Sequence, residues 1–174
     1  IIPWASPLAH ILLLLAAPAN DTLMADQALT VGDKLVSRNG KFALGFFQPA
    51  ARTTISNSDT TTSPNWYLGI WFNKIPVCTS VWVANRDQPI TNPSINQTRF
   101  KISSDGNLVI VHNDSVVWST RIVNNRTQAS SINTTATAAV LLNSGNLALT
   151  VTESPSSSDL PLWQSFDHPT DIVL

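Results

Sequence analysis

Charge is what this sequence has least of. Lys, Arg, Asp and Glu together make up 12% of the 174 residues, about half the roughly 25% of ordinary soluble domains. The formal net charge is −1 and no run of Lys or Arg occurs. Nothing in the chain could track a phosphate backbone, so nucleic acid is excluded as a partner. Cysteine is nearly absent too. Cys78 stands alone, so the chain cannot close a disulfide within itself and must stand on packing. Cys78 is expected as a small apolar filler beside a strand, with an intermolecular bridge as the alternative. Only three histidines occur, His10, His112 and His168, and no two have metal-ligand spacing. No nucleophile elbow, phosphate loop or kinase catalytic loop is present. No catalytic residue, metal or cofactor is therefore expected, and His112 and His168 read as solvated turn and loop residues rather than hydrolase bases.

What is present begins with an apolar block from Leu8 to Ala17, ending in Ala17-Pro18-Ala19. The block is shorter than the about 20 residues a membrane span needs, and its ending suits signal peptidase. Residues 1–19 are expected to be a signal peptide whose start is truncated, sending the product through the secretory pathway to the cell exterior. Sequons agree with export. Asn96, Asn113, Asn125 and Asn133 are candidate glycosylation sites, whereas Asn92 is excluded by Pro93.

Helix signals are almost absent after residue 20, and short apolar runs punctuated by Asn, Asp, Gly, Pro and Ser take their place. Three segments align on a glycine: Asn39-Gly40-Lys41-Phe42-Ala43-Leu44, Asp105-Gly106-Asn107-Leu108-Val109-Ile110 and Ser144-Gly145-Asn146-Leu147-Ala148-Leu149. Each pairs a turn-forming residue with a glycine that tolerates positive φ, then starts a strand. Downstream of each comes a Trp strand, at Val81-Trp82-Val83-Ala84, Val117-Trp118-Ser119-Thr120 and Leu162-Trp163-Gln164-Ser165. The chain therefore reads as three copies of one all-β unit that bury a face against one another. The Thr/Ser-rich stretch 52–65 and the Thr/Asn-rich stretch 124–137 are expected as surface insertions.

Period-two reasoning sorts the faces. Phe42, Leu108 and Leu147, with Leu44, Ile110 and Leu149, are expected to form the common core. Trp82, Trp118 and Trp163 are expected to fill its centre, because a closed body without a disulfide needs bulky wedges. The opposite face carries Asn39, Lys41 and Ala43, then Asp105, Asn107 and Val109, then Ser144, Asn146 and Ala148. It is expected to be polar, outward and available to a ligand. Within Asn85-Arg86-Asp87, Arg86 and Asp87 are expected to fix the strand-to-loop exit before Pro89 through charge-assisted hydrogen bonds rather than to act chemically.

These residues resemble the bulb-type lectin domain of monocot mannose-binding lectins. More closely they resemble the version heading plant G-type lectin (S-locus-type) receptor kinases. The resemblance rests on Gly40-Lys41-Phe42-Ala43-Leu44-Gly45-Phe46-Phe47 and Tyr67-Leu68-Gly69-Ile70-Trp71-Phe72. Two longer matches are more specific, Val81-Trp82-Val83-Ala84-Asn85-Arg86-Asp87-Gln88-Pro89-Ile90 and Leu162-Trp163-Gln164-Ser165-Phe166-Asp167-His168-Pro169-Thr170-Asp171. It implies a β-prism of three small antiparallel sheets with pseudo-threefold symmetry. It also implies a lectin domain over residues 20–152, with 153–174 holding the last Trp strand and the start of a second lectin-like region. The family's sugar motif, Gln-x-Asp-x-Asn-x-Val-x-Tyr, matches best at Ser103, Asp105, Asn107 and Val109, with Ser103 in place of Gln and Val111 in place of Tyr. By the same glycine frame the third copy keeps only Asn146, and the first, at Ser37, Asn39, Lys41, Ala43 and Gly45, keeps none. A mannose-type glycan or a peptide or protein ligand is the implied partner, a receptor dimer the implied assembly, and any membrane contact would come from a downstream segment. A free-standing secreted mannose-binding lectin is the alternative.

Overall fold

The structure, a computed structural model, describes residues 20–49, 65–76, 78–91, 95–122, 137–151 and 160–170. The expected signal peptide, Asn125, Asn133 and the 152/153 boundary lie outside the described residues. The first described stretch visits three sheets within fifteen residues, as β1 (Thr22–Met24), β2 (Ala28–Leu29) and β3 (Lys34–Val36). Each strand buries one leucine, Leu23, Leu29 or Leu35, at a spacing of six. The two corners between them use one device. Gln27 N–H donates to the Met24 carbonyl and its Oε1 accepts from Met24 N–H; Asp33 N–H donates to the Thr30 carbonyl and its Oδ2 accepts from Thr30 N–H. Short polar side chains so placed close a turn without the help of a helix or long loop.

The remaining strands complete the sheets. β3 pairs with β4 (Phe42–Phe47), β4 with β5 (Tyr67–Phe72) and β5 with β6 (Ser80–Val83). The second sheet runs β2, β7 (Thr98–Ile102), β8 (Leu108–His112) and β9 (Ser115–Ser119). The third runs β1, β10 (Thr137–Leu141), β11 (Leu147–Val151) and β12 (Trp163–Gln164). All pairs are antiparallel. Three four-stranded sheets related in this way form a β-prism. One register shift recurs at the same place in two of them, beside Ile70 and beside Ile110.

The inward residues form one apolar body. Leu44, Leu108, Ile110, Leu147 and Leu149 are fully buried, while Phe42 is half-buried against that body. At the centre the three indoles meet edge to face. Centroids lie 5.9 Å apart for Trp82 and Trp118, 5.8 Å for Trp82 and Trp163, and 6.1 Å for Trp118 and Trp163. Edge-to-face contact sets the positive ring edge against the negative face, so each ring satisfies its neighbours. Across its sheet, Trp82 faces Ile70, Trp118 faces Ile110 and Trp163 faces Leu149.

Those pairings correct the glycine alignment in the first copy. There the strand beside the Trp strand is β5, so Leu68-Gly69-Ile70 corresponds to Leu108-Val109-Ile110 and Leu147-Ala148-Leu149. Gly40 opens β4, one strand earlier than Gly106 and Gly145, which open β8 and β11. The physical cause is the long insertion after β4, which stands where the other copies have a tight glycine turn. In copies two and three the turn closes by Ser103 N–H to the Asn107 carbonyl and by Leu142 N–H to the Asn146 carbonyl. Ser37 N–H reaches Phe42 instead, one residue further from the glycine.

A second correction concerns the face expected to be polar and exposed. Ala43, Asn107, Val109, Asn146 and Ala148 are buried, at 0, 7, 4, 6 and 4% exposure. Cys78 is corrected as well: it is exposed in the β5–β6 connection rather than packed.

Gly145 has φ +86° and its missing Cβ would lie 2.9 Å from the Phe42 ring. Gly145→Ala combines left-handed strain with overpacking and is expected to cost about 2–4 kcal/mol. Urea unfolding of the variant measures it; an unchanged midpoint would contradict this packing.

Candidate functional site

The turn before β8 holds the residues that the sugar motif picks out. Ser103 donates its hydroxyl to Asp105 Oδ1, and the Ser103 Oγ also lies 3.0 Å from the backbone carbonyl oxygen of Asn107. Asp105 also accepts from Asn107, 3.1 Å from the backbone N–H and 3.0 Å from Nδ2. The Asn107 carbonyl oxygen Oδ1 faces the opposite way. It accepts from Thr120 Oγ1 at 2.9 Å and from Ile122 N–H at 2.7 Å. Thr120 Oγ1 in turn accepts from Leu108 N–H at 3.1 Å.

The third sheet repeats this clamp. Asn146 Oδ1 accepts from Ser165 Oγ at 3.0 Å and Phe166 N–H at 3.2 Å, while Ser165 Oγ accepts from Leu147 N–H at 3.0 Å. In the first sheet the corresponding strand residue is Leu68, whose N–H donates to Asn85 Oδ1 at 2.8 Å. Asn85 Nδ2 donates to the carbonyls of Trp66 and Gln88. Asn85, a residue not expected in this role beside Arg86 and Asp87, thus supplies strand-exit hydrogen bonds. In each copy a buried amide ties the exit of the Trp strand to the strand beside it, because those backbone groups need partners out of water. Asn107 and Asn146 are clamps first, with their carbonyls already committed.

Asp105 remains exposed at the turn. The Ser103 hydroxyl hydrogen bond, helped by Asn107 and opposed by partial burial, holds its carboxyl below the ordinary value of 3.8. Thr30 does the same for Asp33 through its hydroxyl and N–H. A depressed folded-state pKa contributes stability that is full above the unfolded value and lost as pH falls through the folded one. The unfolding midpoint is therefore expected to drop below about pH 4, with Asp33→Asn plus Asp105→Asn flattening that drop. Denaturation at a series of pH values checks it; an unchanged slope in the double variant would contradict these assignments.

Beyond the turn, the outer face of the second sheet is set by register. Val109 sits between Lys101 and Ser119, and Val111 between Arg99 and Val116. Val109 is a buried floor, Val111 is half-exposed, and Arg99, Lys101 and Val116 are exposed. Of the four residues picked from the motif, Ser103 and Asp105 thus meet at the turn, Val109 floors the neighbouring face, and the Asn107 carbonyl points into the clamp.

The corrected frame places residues in the first copy that sequence reasoning missed. Tyr67, Gly69 and Trp71 stand where Asn107, Val109 and Val111 stand in the second. With Phe47 and Val83 they form a separate aromatic cluster, the Phe47 ring lying 6.1 Å from Tyr67 and 5.9 Å from Trp71. Phe47 occupies the space over Gly69, where a Cβ would come within 2.7 Å of its ring. The signal lies in the Leu68-Gly69-Ile70 run, whose Ile70 pairs with Trp82 as Ile110 does with Trp118.

A cleft of 520 Å³ opens at the Trp end, lined by Asp87, Gln88, Trp118, Arg121, Trp163 and His168 among others. His168 stacks on Trp163 with centroids 5.3 Å apart, and its carbonyl accepts from Trp82 Nε1 at 2.9 Å. Among the described residues no group of three His, Cys, Asp or Glu could hold a metal ion, and no helix is long and apolar enough to cross a membrane.

A D-mannose binding lectin family model matches residues 79–174, more than half of the sequence. The chain belongs to that family. Its relatives include the receptor-like serine/threonine-protein kinase SD1-7 of Arabidopsis thaliana, 39% identical over 94% of this chain and 17% of the kinase. The S-locus-specific glycoprotein S6 of Brassica oleracea is 34% identical over 96% of this chain and 34% of the glycoprotein. The chain thus spans about a sixth to a third of the curated relatives it matches. Among solved structures, a monomeric mannose-binding lectin of Gastrodia elata aligns with a TM-score of 0.49 and 20% identity, over 83% of this chain and 96% of that one. The family is a lectin family, and the domain is of the lectin type that these plant receptor kinases and S-locus glycoproteins carry.

Proposed function

We propose that this chain is the extracellular recognition module of a plant receptor-like kinase, non-catalytic in itself, and that it reads a glycan on the outer face of its second sheet. The observation carrying this reading is the Val109–Val111 strip, which is apolar, edged on one side by the exposed Arg99 and Lys101 and continuous with the Ser103–Asp105 turn. Sugars present the matching chemistry, an apolar C–H patch ringed by hydroxyls. Val111, floored by the buried Val109, takes the C–H patch. Asp105 and Ser103 accept from hydroxyls, and Asn107 offers its second Nδ2 hydrogen.

The remaining assignments follow from the same reading. Residues 1–19 are the signal peptide, 20–152 the lectin domain, and 153–174 hold its last Trp strand and the start of a second lectin-like region. Asn96 and Asn113, both exposed, carry N-glycans, as do Asn125 and Asn133. The module lies on the apoplastic face of the plasma membrane, where a receptor dimer or a peptide ligand would extend the same surface. The test is a glycan array probed with the secreted chain. Binding of at least one glycan class, lost in Val111→Glu with an unchanged circular dichroism spectrum, supports the reading. Absence of any glycan binding would overturn it.

A further inference from the structure

We propose that the glycan taken by the second sheet is anionic, its acidic group held by Arg99 and Lys101. This rests on the carbohydrate reading of that face and names the ligand class. β7 alternates strictly: Thr98, Phe100 and Ile102 are buried, Arg99 and Lys101 exposed. Residues directly across an antiparallel pair share a face, with Cβ atoms about 4.5–5.5 Å apart. Arg99 is opposite Val111 and Lys101 opposite Val109. The two cations therefore stand along one side of the strip, about 7 Å apart from the strand rise. Among the described residues neither makes a side-chain hydrogen bond or ion pair, in contrast to Arg38, which pairs with Asp21.

The pseudo-symmetry supplies an internal control. The position of Lys101 is held by Gly45 in the first sheet and Val140 in the third. The position of Arg99 is held by Ala43 and Ala138. Packing in this fold is satisfied by small or apolar residues there, so the two charges are a property of the second sheet alone. Asp105 lies beyond Lys101 at the turn, and its carboxylate repels an acid at that end. The acidic group is therefore placed towards Arg99, where a guanidinium offers paired donors to a planar carboxylate or to a sulfate.

The third sheet also shows which substitutions the fold accepts, Arg99→Ala and Lys101→Val. The secreted chain is titrated with galacturonate oligomers, a sulfated oligosaccharide and neutral mannan oligomers. The acidic ligands are expected to bind at least about tenfold tighter than mannan at low ionic strength, with the advantage shrinking as salt rises. Each substitution is expected to remove most of that advantage while the unfolding midpoint holds, and Arg99→Lys to retain part of it. The galacturonate and sulfate arms separate the two acid groups. Equal affinity for neutral and acidic ligands, or variants with unchanged preference, would overturn the proposal and leave the glycan reading standing. Failure to bind any of these saccharides would overturn the proposal, and a blank glycan array beside it would overturn the glycan reading as well.

Discussion

Trp82→Ala is expected to lower stability by about 3–5 kcal/mol. The ring is 4% exposed and touches both other indoles edge to face. Removing it leaves a void on the pseudo-threefold axis that three separate sheets would have to close together, and sheets stiffened by paired strands collapse poorly. It also orphans the His168 carbonyl, which accepts from Trp82 Nε1. Against a total of about 5–15 kcal/mol for an ordinary domain, such a loss brings unfolding within reach at physiological temperature. Trp82→Phe keeps a ring and is expected to recover part of it. Urea unfolding gives the number, and a loss under about 1 kcal/mol would show that the indoles do not hold the sheets together.

Asn107→Ala carries the second large effect, and it separates two roles for the same residue. If Asn107 served only as a sugar contact, alanine would weaken binding and leave the fold alone. The clamp predicts the opposite order. Thr120 Oγ1 and Ile122 N–H would lose their shared acceptor, and a donor left unpaired out of water costs about 1–3 kcal/mol, less for these two because both are only partly buried. Asn107→Asp does not rescue, because the amide hydrogen given to Asp105 becomes a second carboxylate facing the first. Asn146→Ala is expected to behave likewise through Ser165 and Phe166. Chemical denaturation beside a binding titration distinguishes the roles: unchanged stability with lost binding would mean that the hydrogen bonds at Oδ1 contribute nothing to the fold.

The prism was legible where chemistry is local. Gly40, Gly106 and Gly145 take φ of +69, +83 and +86°, as turn glycines before a strand should. The Trp strands stood out because an apolar-Trp pair is rare and recurred. What failed was the register of the first copy. An alignment on glycine presumes that the same connection is tight in every copy, whereas here an insertion displaced it and the equivalent strand begins at Tyr67. Leu23, Leu29 and Leu35 were legible in principle, yet their period of six fits neither helix nor strand. It marks one residue per sheet around a threefold axis. The site was less legible still. Alternation correctly sent Asp105 outward, but the same rule put Asn107 on the surface. Alternation gives the direction of a side chain, not the backbone groups of a neighbouring segment that its amide must satisfy.

The most direct test of the recognition face is a titration of isotope-labelled chain with acidic and neutral oligosaccharides, following amide shifts residue by residue. Shifts confined to Arg99, Lys101, Val109, Val111 and the Ser103–Asp105 turn, larger for the acidic series, are the predicted result. Shifts that instead gather around Trp118, Arg121 and His168 in the Trp-end cleft, with the second sheet silent, would contradict the account.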